Sequence, residues 1–337
     1  MLVTVLLFAL GLILLIKGGD WFVDGATGIA YKFHIPEILI GATVVSIGTT
    51  LPEVMVSATS ALGGHGEIAY GNAIGSIICN TSFIAALSIA IKPAKVQRYT
   101  LRTPVMFFFL ASALYMYNAY FNGYFSRVTG IALLAIFLVY MILTVRQMSR
   151  DPEKPEIAPD EAIQHREIDR AEEKVTVTEE INMKKNLVQL VAGAAVIAVG
   201  ADLLVDNGII IAESLGVPES VIALTFVALG TSLPELVTAV TSLMKGHGSM
   251  SIGNIIGANL FNLVLVSGVS TALAPFQVPQ SATIAGHNAS LVLDIPVMLT
   301  VMLIMTGPAM FKARLYRAQG IILLCIYAAF CIVQFTL

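Results

Sequence analysis

Along this chain, runs of about twenty apolar residues alternate with short polar breaks. Each run is long enough to cross about 30 Å of hydrocarbon as a helix. Ten spans are predicted, at approximately 2–31, 37–62, 67–91, 103–121, 127–147, 186–213, 219–244, 249–273, 290–308 and 315–336. A transmembrane barrel would instead alternate apolar and polar residues in strands of about ten. The pattern predicts an all-α polytopic membrane protein. The first apolar run continues into GGDWFVDGA without a small-residue cleavage site, so it reads as a span and not as a removed signal peptide. One stretch differs in kind. Residues 148–185 contain RDPEKPEIAPDEAIQHREIDRAEEKVTVTEE, rich in charge and holding three prolines. Such a composition cannot bury a core and reads as a solvated linker.

The linker separates two related halves, 1–147 and 186–337. A shift of 182 aligns KGGDWFVDGATGIAYKFHIPEILIGATVVSIGTTLPE with VGADLLVDNGIIIAESLGVPESVIALTFVALGTSLPE, and sixteen of these 37 positions are identical. The same shift carries GGHGEIAYGNAIGSIICN onto KGHGSMSIGNIIGANLFN. Two unrelated oily segments would match at Leu, Val and Ala. These match at Asp20/Asp202, Asp24/Asp206, Pro36/Pro218, Glu53/Glu235, Asn72/Asn254 and Asn80/Asn262. Each half holds five spans, an odd number, so the second copy enters the membrane inverted. Inverted repeats characterise secondary transporters, whose sites lie near the midplane between the copies.

Composition agrees with this picture and charge orients it. The 337 residues are 57% hydrophobic and 12% charged, where a soluble protein carries about 25% charged residues. Mean hydropathy is +0.84. The net charge of -3 conceals an uneven distribution, since 11 of the 22 acids lie between Asp151 and Glu180. Lys and Arg gather in alternate connections: Lys92, Lys95, Arg98 and Arg102 between spans 3 and 4; Arg146, Arg150, Lys184 and Lys185 flanking the linker; Lys245 between 7 and 8; and Lys312, Arg314 and Arg317 between 9 and 10. The other connections are nearly free of basic residues, with Arg127 the exception, and the positive-inside rule then places the linker in the cytoplasm and both termini outside, in a multi-pass protein of the cell membrane. Nothing in the charge pattern points to nucleic acid. Cys79, Cys325 and Cys331 all fall in apolar segments without metal-ligand spacing, and are expected to be small core residues.

The chemistry concentrates at GTTLPE, residues 48–53, and its twin GTSLPE, residues 230–235. In a soluble protein Thr50-x-x-Glu53 would read as a capping box. Depth argues otherwise. Glu53 lies 16 residues beyond Glu37, roughly 24 Å along a helix and well inside the hydrocarbon. An ionised acid there costs at least about 2.5–3.5 kcal/mol and needs a partner or a function. Glu235 repeats the situation, and inversion brings the two acids together near the centre. Pro52 and Pro234 remove helical partners from the carbonyls of Gly48 and Gly230, so the second and seventh helices are expected to be broken there. Asn72, Ser76 and Asn80 share one helical face, matched by Asn254, Ala258 and Asn262. Carboxylate, hydroxyl, amide and carbonyl oxygens, without a Cys/His cluster, suit hard cations. Two facing carboxylates balance one Ca²⁺ or most of the charge of several Na⁺. An empty pair resists the switch between inward and outward states and loading relieves it. Protonation relieves it too, which leaves H⁺ as a rival coupling ion.

GTTLPE and GTSLPE, followed by GNAIGSIICN and GNIIGANLFN, resemble the two alpha repeats of the sodium/calcium exchanger family, in the cation/calcium antiporter superfamily, and most closely its compact prokaryotic members. The resemblance spans nearly the whole chain. It implies Na⁺-driven Ca²⁺ extrusion by alternating access, with Ca²⁺ and Na⁺ as transported ligands, no cofactor and no enzymatic activity. It implies that Glu53 and Glu235 bind Ca²⁺ with the carbonyls of Thr49 and Thr231. It further implies that Thr50, Ser232, Ser46, Ser76, Asn80 and the carbonyl of Ala228 form Na⁺ sites, with Asn262 in the same set. Spans 1 and 6 would be gating helices that slide across the core. Function as a monomer in the bilayer is expected. Ala258 stands where some relatives have serine. Asn262 stands where some members, including potassium-dependent ones, have aspartate, which argues against K⁺ co-transport. Proton-coupled relatives usually lack Leu-Pro-Glu; an H⁺/Ca²⁺ exchanger is the alternative.

Other polar residues have simpler readings. Lys17 precedes Asp20 by three residues, which suits an intrahelical pair. His65 and His247 occupy matching Gly-His-Gly turns, and Glu37 and Glu219 follow prolines at span starts. Asp294 sits near the start of span 9. A channel would more often place its pore on an axis along the membrane normal, and no pair of mid-span aspartates supports an intramembrane protease.

Overall fold

The computed structural model describes residues 1–93, 96, 98–149, 182–214, 230–280 and 282–336. Most of the acidic linker, with Lys95, Arg150, Pro218 and Glu219, lies outside the described residues. Among the described residues ten helices form the architecture: α1 (Leu2–Lys32), α2 (Glu37–Leu62), α3 (Gly66–Ile91), α4 (Arg98–Asn122), α5 (Arg127–Ser149), α6 (Met183–Ser214), α7 (Leu233–Met244), α8 (Gly248–Leu273), α9 (Ser290–Lys312) and α10 (Arg317–Thr336). All but α7 are long and apolar enough to cross a membrane. The N-terminal part of the expected seventh span lies outside the described residues. The fold is the all-α polytopic one that the apolar runs predict. α4 starts at Arg98, five residues before the expected 103. Pro104 lies within the helix.

The repeat extends to backbone geometry. The ends of α1, α2 and α3 at Lys32, Leu62 and Ile91 correspond, at the shift of 182, to the ends of α6, α7 and α8 at Ser214, Met244 and Leu273. Gly64 and Gly246 both adopt left-handed backbone, with φ 85° and 90°, which only glycine reaches at little cost. His65 and His247 then cap α3 and α8 at φ -98° and -89°. α3 and α8 also share an irregularity. Each turns π-helical at its matching asparagine, over Asn80–Ala85 and Asn262–Val266.

The expected break in α2 takes another form. The helix runs on through Pro52, and its departure from α geometry is a π-helical stretch upstream, at Gly41–Val45. The Ser46 hydroxyl lies 2.8 Å from the Gly41 carbonyl, and Tyr140 donates to the Ala42 carbonyl at 2.9 Å. The Gly41 carbonyl also accepts the Ser46 backbone N–H, so the hydroxyl adds a second bond there. In the second half, Thr231 and Ser232 form a turn between helical Gly230 and α7, an interruption at the expected place.

α8 and α3 form the buried centre, while α1, α5, α6 and α10 present most of their surface to lipid. α1 and α6 pack antiparallel along a glycine seam. A Cβ on Gly11 would lie 2.8 Å from the Gly200 carbonyl oxygen, one on Gly18 2.8 Å from Ile197 N, and one on Gly25 2.5 Å from Leu190 N. Lipid tails are as apolar as side chains, so close backbone approach through small residues supplies the attraction.

The connections sort into two faces. Tyr124–Phe125 (β1), between α4 and α5, pairs antiparallel with Phe276–Gln277 (β2), between α8 and α9. Gly66, at the turn between α2 and α3, lies against Phe276 on that same face. On the other face Val96 donates to the Ala313 carbonyl, Arg98 caps Phe311 and Arg317 caps Ile91. His247, after α7, meets Glu37, after α1. This division matches the alternation drawn from Lys and Arg. Cys79 is buried as expected, whereas Cys325 is exposed and Cys331 half-buried on α10.

Candidate functional site

Helical spacing places Ser46, Thr49, Thr50 and Glu53 on one buried side of α2. Both glutamates are fully buried. The Glu53 and Glu235 carboxyl groups lie beside each other, with the Thr49 and Thr50 side chains next to Glu235. Among the described residues none of the four carboxylate oxygens has a hydrogen-bond partner. The same holds for the hydroxyls of Thr50 and Ser232 and for both amide atoms of Asn80 and Asn262. More than about 90% of buried polar groups in proteins are bonded. A cluster of exceptions around two buried acids is an oxygen cage directed at something other than protein.

The π turns shape this cage. The stretch of α2 from Ser46 onward packs on Asn262–Val266 of the other half, and α7 packs on Asn80–Ala85. Each acid-bearing helix therefore leans on the opposite half's asparagine turn. In the second half Ser267 donates to the Asn262 carbonyl at 3.1 Å, as Ser46 does to Gly41. Both serines lie five residues beyond their acceptor, whose carbonyl also accepts the π-turn bond from the same serine's backbone N–H.

Ser76 is buried on α3, and Ala258 on α8 supplies no hydroxyl at the matching place. Thr231 is half-buried in the turn before α7. Ala228 lies outside the described residues. Asn254, visible in the sequence only as a repeated amide, is a junction in the structure. Its carbonyl and side-chain oxygens lie 2.9 and 3.2 Å from the Ser46 hydroxyl, and Thr49 reaches the side-chain oxygen at 3.4 Å. Its counterpart Asn72 instead donates to Ser57 Oγ at 2.8 Å and to the Glu53 carbonyl at 3.3 Å. Sequence reasoning passed over Thr238 and Ser242, whose buried hydroxyls lack partners among the described residues. Their spacing of three and seven from Glu235 was the available signal.

α1 and α6 cover the cage. A Cβ on Gly48 would lie 2.9 Å from the Phe22 ring, and one on Gly230 2.7 Å from Val205 Cγ2. Phe22, Ala194, Ile197 and Ala198 also wall a small cavity whose other side is Gly48, Thr49, Pro52 and Pro234. Asp20 pairs across the bundle with Lys245 rather than with Lys17 one turn away. Among the described residues no three His, Cys, Asp or Glu side chains gather as a metal cluster. The cage consists of two carboxylates in a set of neutral oxygens.

The family model described as "Sodium/calcium exchanger protein" matches residues 3–146 and 185–336. "Sodium/calcium exchanger MaX1" of Methanosarcina acetivorans is 30% identical over 358 aligned residues, covering 99% of each chain. "Inner membrane protein YrbG" of Escherichia coli is 31% identical over 295 residues, covering 88% of this chain and 87% of its own. Among solved structures, the sodium-calcium exchanger NCX_Mj soaked with 2.5 mM Na⁺ and 10 mM Sr²⁺ superposes with a TM-score of 0.75. It is 30% identical and covers 97% of both chains.

Proposed function

We propose, because this chain belongs to the sodium/calcium exchanger family, that it exchanges Na⁺ for Ca²⁺ across the cell membrane by alternating access and extrudes Ca²⁺. The observation that carries the reading is the set of buried, unpartnered oxygens around Glu53 and Glu235. Two uncompensated carboxylates in a low-dielectric interior are costly, and a cation among them removes that cost. Ca²⁺ takes six to eight oxygens in a flexible arrangement. In this reading Glu53 and Glu235, with the carbonyls of Thr49 and Thr231, hold Ca²⁺. Thr50, Ser232, Ser46, Ser76, Asn80, Asn262 and the carbonyl of Ala228 contribute to Na⁺ sites.

Exchange follows from charge. The carboxylate pair is neutralised by one Ca²⁺ or by several Na⁺, and both compete for the same oxygens. The loaded cage passes between faces and the uncompensated one does not. α1 and α6, lying over Gly48 and Gly230, are the moving covers. Their seam is mostly glycine and apolar side chain, with Asn186 packed on Gly28, so a slide along it breaks few hydrogen bonds. The halves 1–147 and 186–337 are the inverted units, 148–185 is a cytoplasmic linker, both termini are outside, and the chain works as a monomer.

The test is flux. Purified protein in liposomes is given Na⁺, H⁺ or K⁺ gradients in turn while ⁴⁵Ca²⁺ uptake is followed. Uptake driven by Na⁺ alone is expected. Uptake driven by a pH gradient without Na⁺ would replace this reading with H⁺/Ca²⁺ exchange.

A further inference from the structure

We propose that Lys245 is a positioning residue, a one-sided clamp that ties α1 to the turn after α7 and holds the passage on that face shut. The inference rests on α1 acting as a moving cover.

Lys245 Nζ lies 2.7 Å from Asp24 Oδ1 and 3.3 Å from Asp20 Oδ1, and donates to the Asp20 carbonyl at 3.1 Å. One ammonium thus holds two acids and one carbonyl of α1. Its own turn is fixed nearby, because His247 Nδ1 lies 2.7 Å from Glu37 Oε1 and Tyr31 donates to that oxygen at 3.4 Å. Between the clamp and the cage α1 lies flush on α7. A Cβ on Gly19 would sit 2.7 Å from Val237 Cγ1 and 2.9 Å from Thr241 Oγ1. Glu235 lies further along the same helix, past the unpartnered hydroxyls of Ser242 and Thr238. A path from this face to Glu235 along those hydroxyls opens only if α1 parts from α7, and that motion breaks the bonds of Lys245.

The opposite face lacks the device. At the shift of 182 Lys245 corresponds to Gly63. The backbones agree, with φ -73° and ψ 0° at Gly63 and φ -80° and ψ -1° at Lys245. Only the side chain differs. Asp202 and Asp206, the counterparts of Asp20 and Asp24, are exposed and make no ion pair among the described residues. The repeat preserved the acids on both faces and placed a cation on one. The closed state of the Lys245 face is thereby favoured over the closed state of the other, and the two directions of exchange become unequal.

The experiment uses full-length protein in liposomes of known orientation, with Lys245→Gln and Asp24→Asn, and with Gly63→Lys as the transplant. A Cβ at Gly63 meets nothing nearer than 3.4 Å, so the side chain fits. Partly exposed ion pairs set the scale of the effect at about two- to fivefold. Lys245→Gln is expected to lower half-saturating Ca²⁺ on the Lys245 face and raise it on the other, each by about that factor, because apparent affinity scales with the competent population. Asp24→Asn moves both values the same way. Gly63→Lys, by closing the opposite face, does so too. Lys245→Glu combined with Asp24→Lys returns both values towards the parent. Equal changes on both faces, or none, would overturn the clamp. A second readout does not depend on which cation is carried. Nitroxide labels at Ile16→Cys and Met244→Cys, in a background without other cysteines, report the α1–α7 distance. Lys245→Gln is expected to add a longer-distance population. Unchanged distances reject the clamp even in a protein that exchanges normally, and lengthened distances uphold it even if the coupling ion is H⁺.

Discussion

At Glu53 and Glu235 the protein keeps two acids buried, and among the described residues their carboxylate oxygens have no hydrogen-bond partner. A buried charge that loses its partner typically costs about 3–5 kcal/mol. Glutamine has the same shape without the charge. Glu53→Gln and Glu235→Gln are each expected to reduce Na⁺-driven ⁴⁵Ca²⁺ uptake by at least about a hundredfold. Without cations, their melting temperatures in detergent should equal or exceed that of the parent, since one of two facing charges is gone. The parent should gain stability as Ca²⁺ is added, by linkage of binding to the folded state, and the variants should not. A variant that retained both uptake and Ca²⁺-dependent stabilisation would remove its residue from the site. These acids were legible in the sequence because depth made them anomalous and repetition made them a pair. Asn254 was less legible. Its sequence neighbourhood is nearly that of Asn72, yet one amide braces Ser46 and Thr49 and the other braces Ser57 and Glu53. Which partner an amide finds depends on the helix across from it, and periodicity within one helix carries no such information.

Among the elements, α1 and α6 depend on glycine most directly. Gly25→Ala would press a methyl group to 2.5 Å from Leu190 N, while Gly71 has nothing within 4 Å of its absent Cβ. Overpacking typically costs about 1–3 kcal/mol. A Gly→Ala change in an open helix interior typically gains up to about 1 kcal/mol. Gly25→Ala should therefore lower the melting temperature and slow exchange, and Gly71→Ala should raise the melting temperature or leave it unchanged. The reverse order in a thermal-shift measurement would count against the seam. Hydropathy located nine spans to within a few residues because burial in lipid needs only length and apolarity. It could not foresee that α2 would remain helical through Pro52. A proline's effect on a helix depends on the packing around it, and in α2 the departure from α geometry falls upstream of Pro52, at Gly41–Val45.

For the whole molecule, inversion is the property on which the rest depends. Leu62 and Met244 are counterparts at the shift of 182, and both are exposed at the ends of their helices. In a cysteine-free background, Leu62→Cys and Met244→Cys should react with a membrane-impermeant maleimide from opposite faces of sealed vesicles. Labelling of both from one face would refute the inverted arrangement. The sequence carried this architecture in the constant shift and the odd number of spans per half. It did not carry the seating of α2 on the Asn262 turn and of α7 on the Asn80 turn, because contacts between halves have no periodic trace.

The π turn in α3 has a further consequence. One additional residue in a helix rotates everything beyond it by about 100° relative to an unbroken α-helix. Upstream of Asn80 one side of α3 carries Asn72 and Ser76; downstream the buried positions are Ala86, Ser88 and Ile89. The extra residue acts as a phase shifter, letting a single rod show polar oxygen to the centre along one half and packing surface along the other. The matching turn in α8 rotates that helix likewise from the opposite side of the membrane, and beyond it the buried positions are Ser267, Gly268, Ser270 and Thr271. Removing one residue from either turn would leave hydropathy and length almost untouched, and would re-aim the far half of the helix like a key cut on the wrong edge.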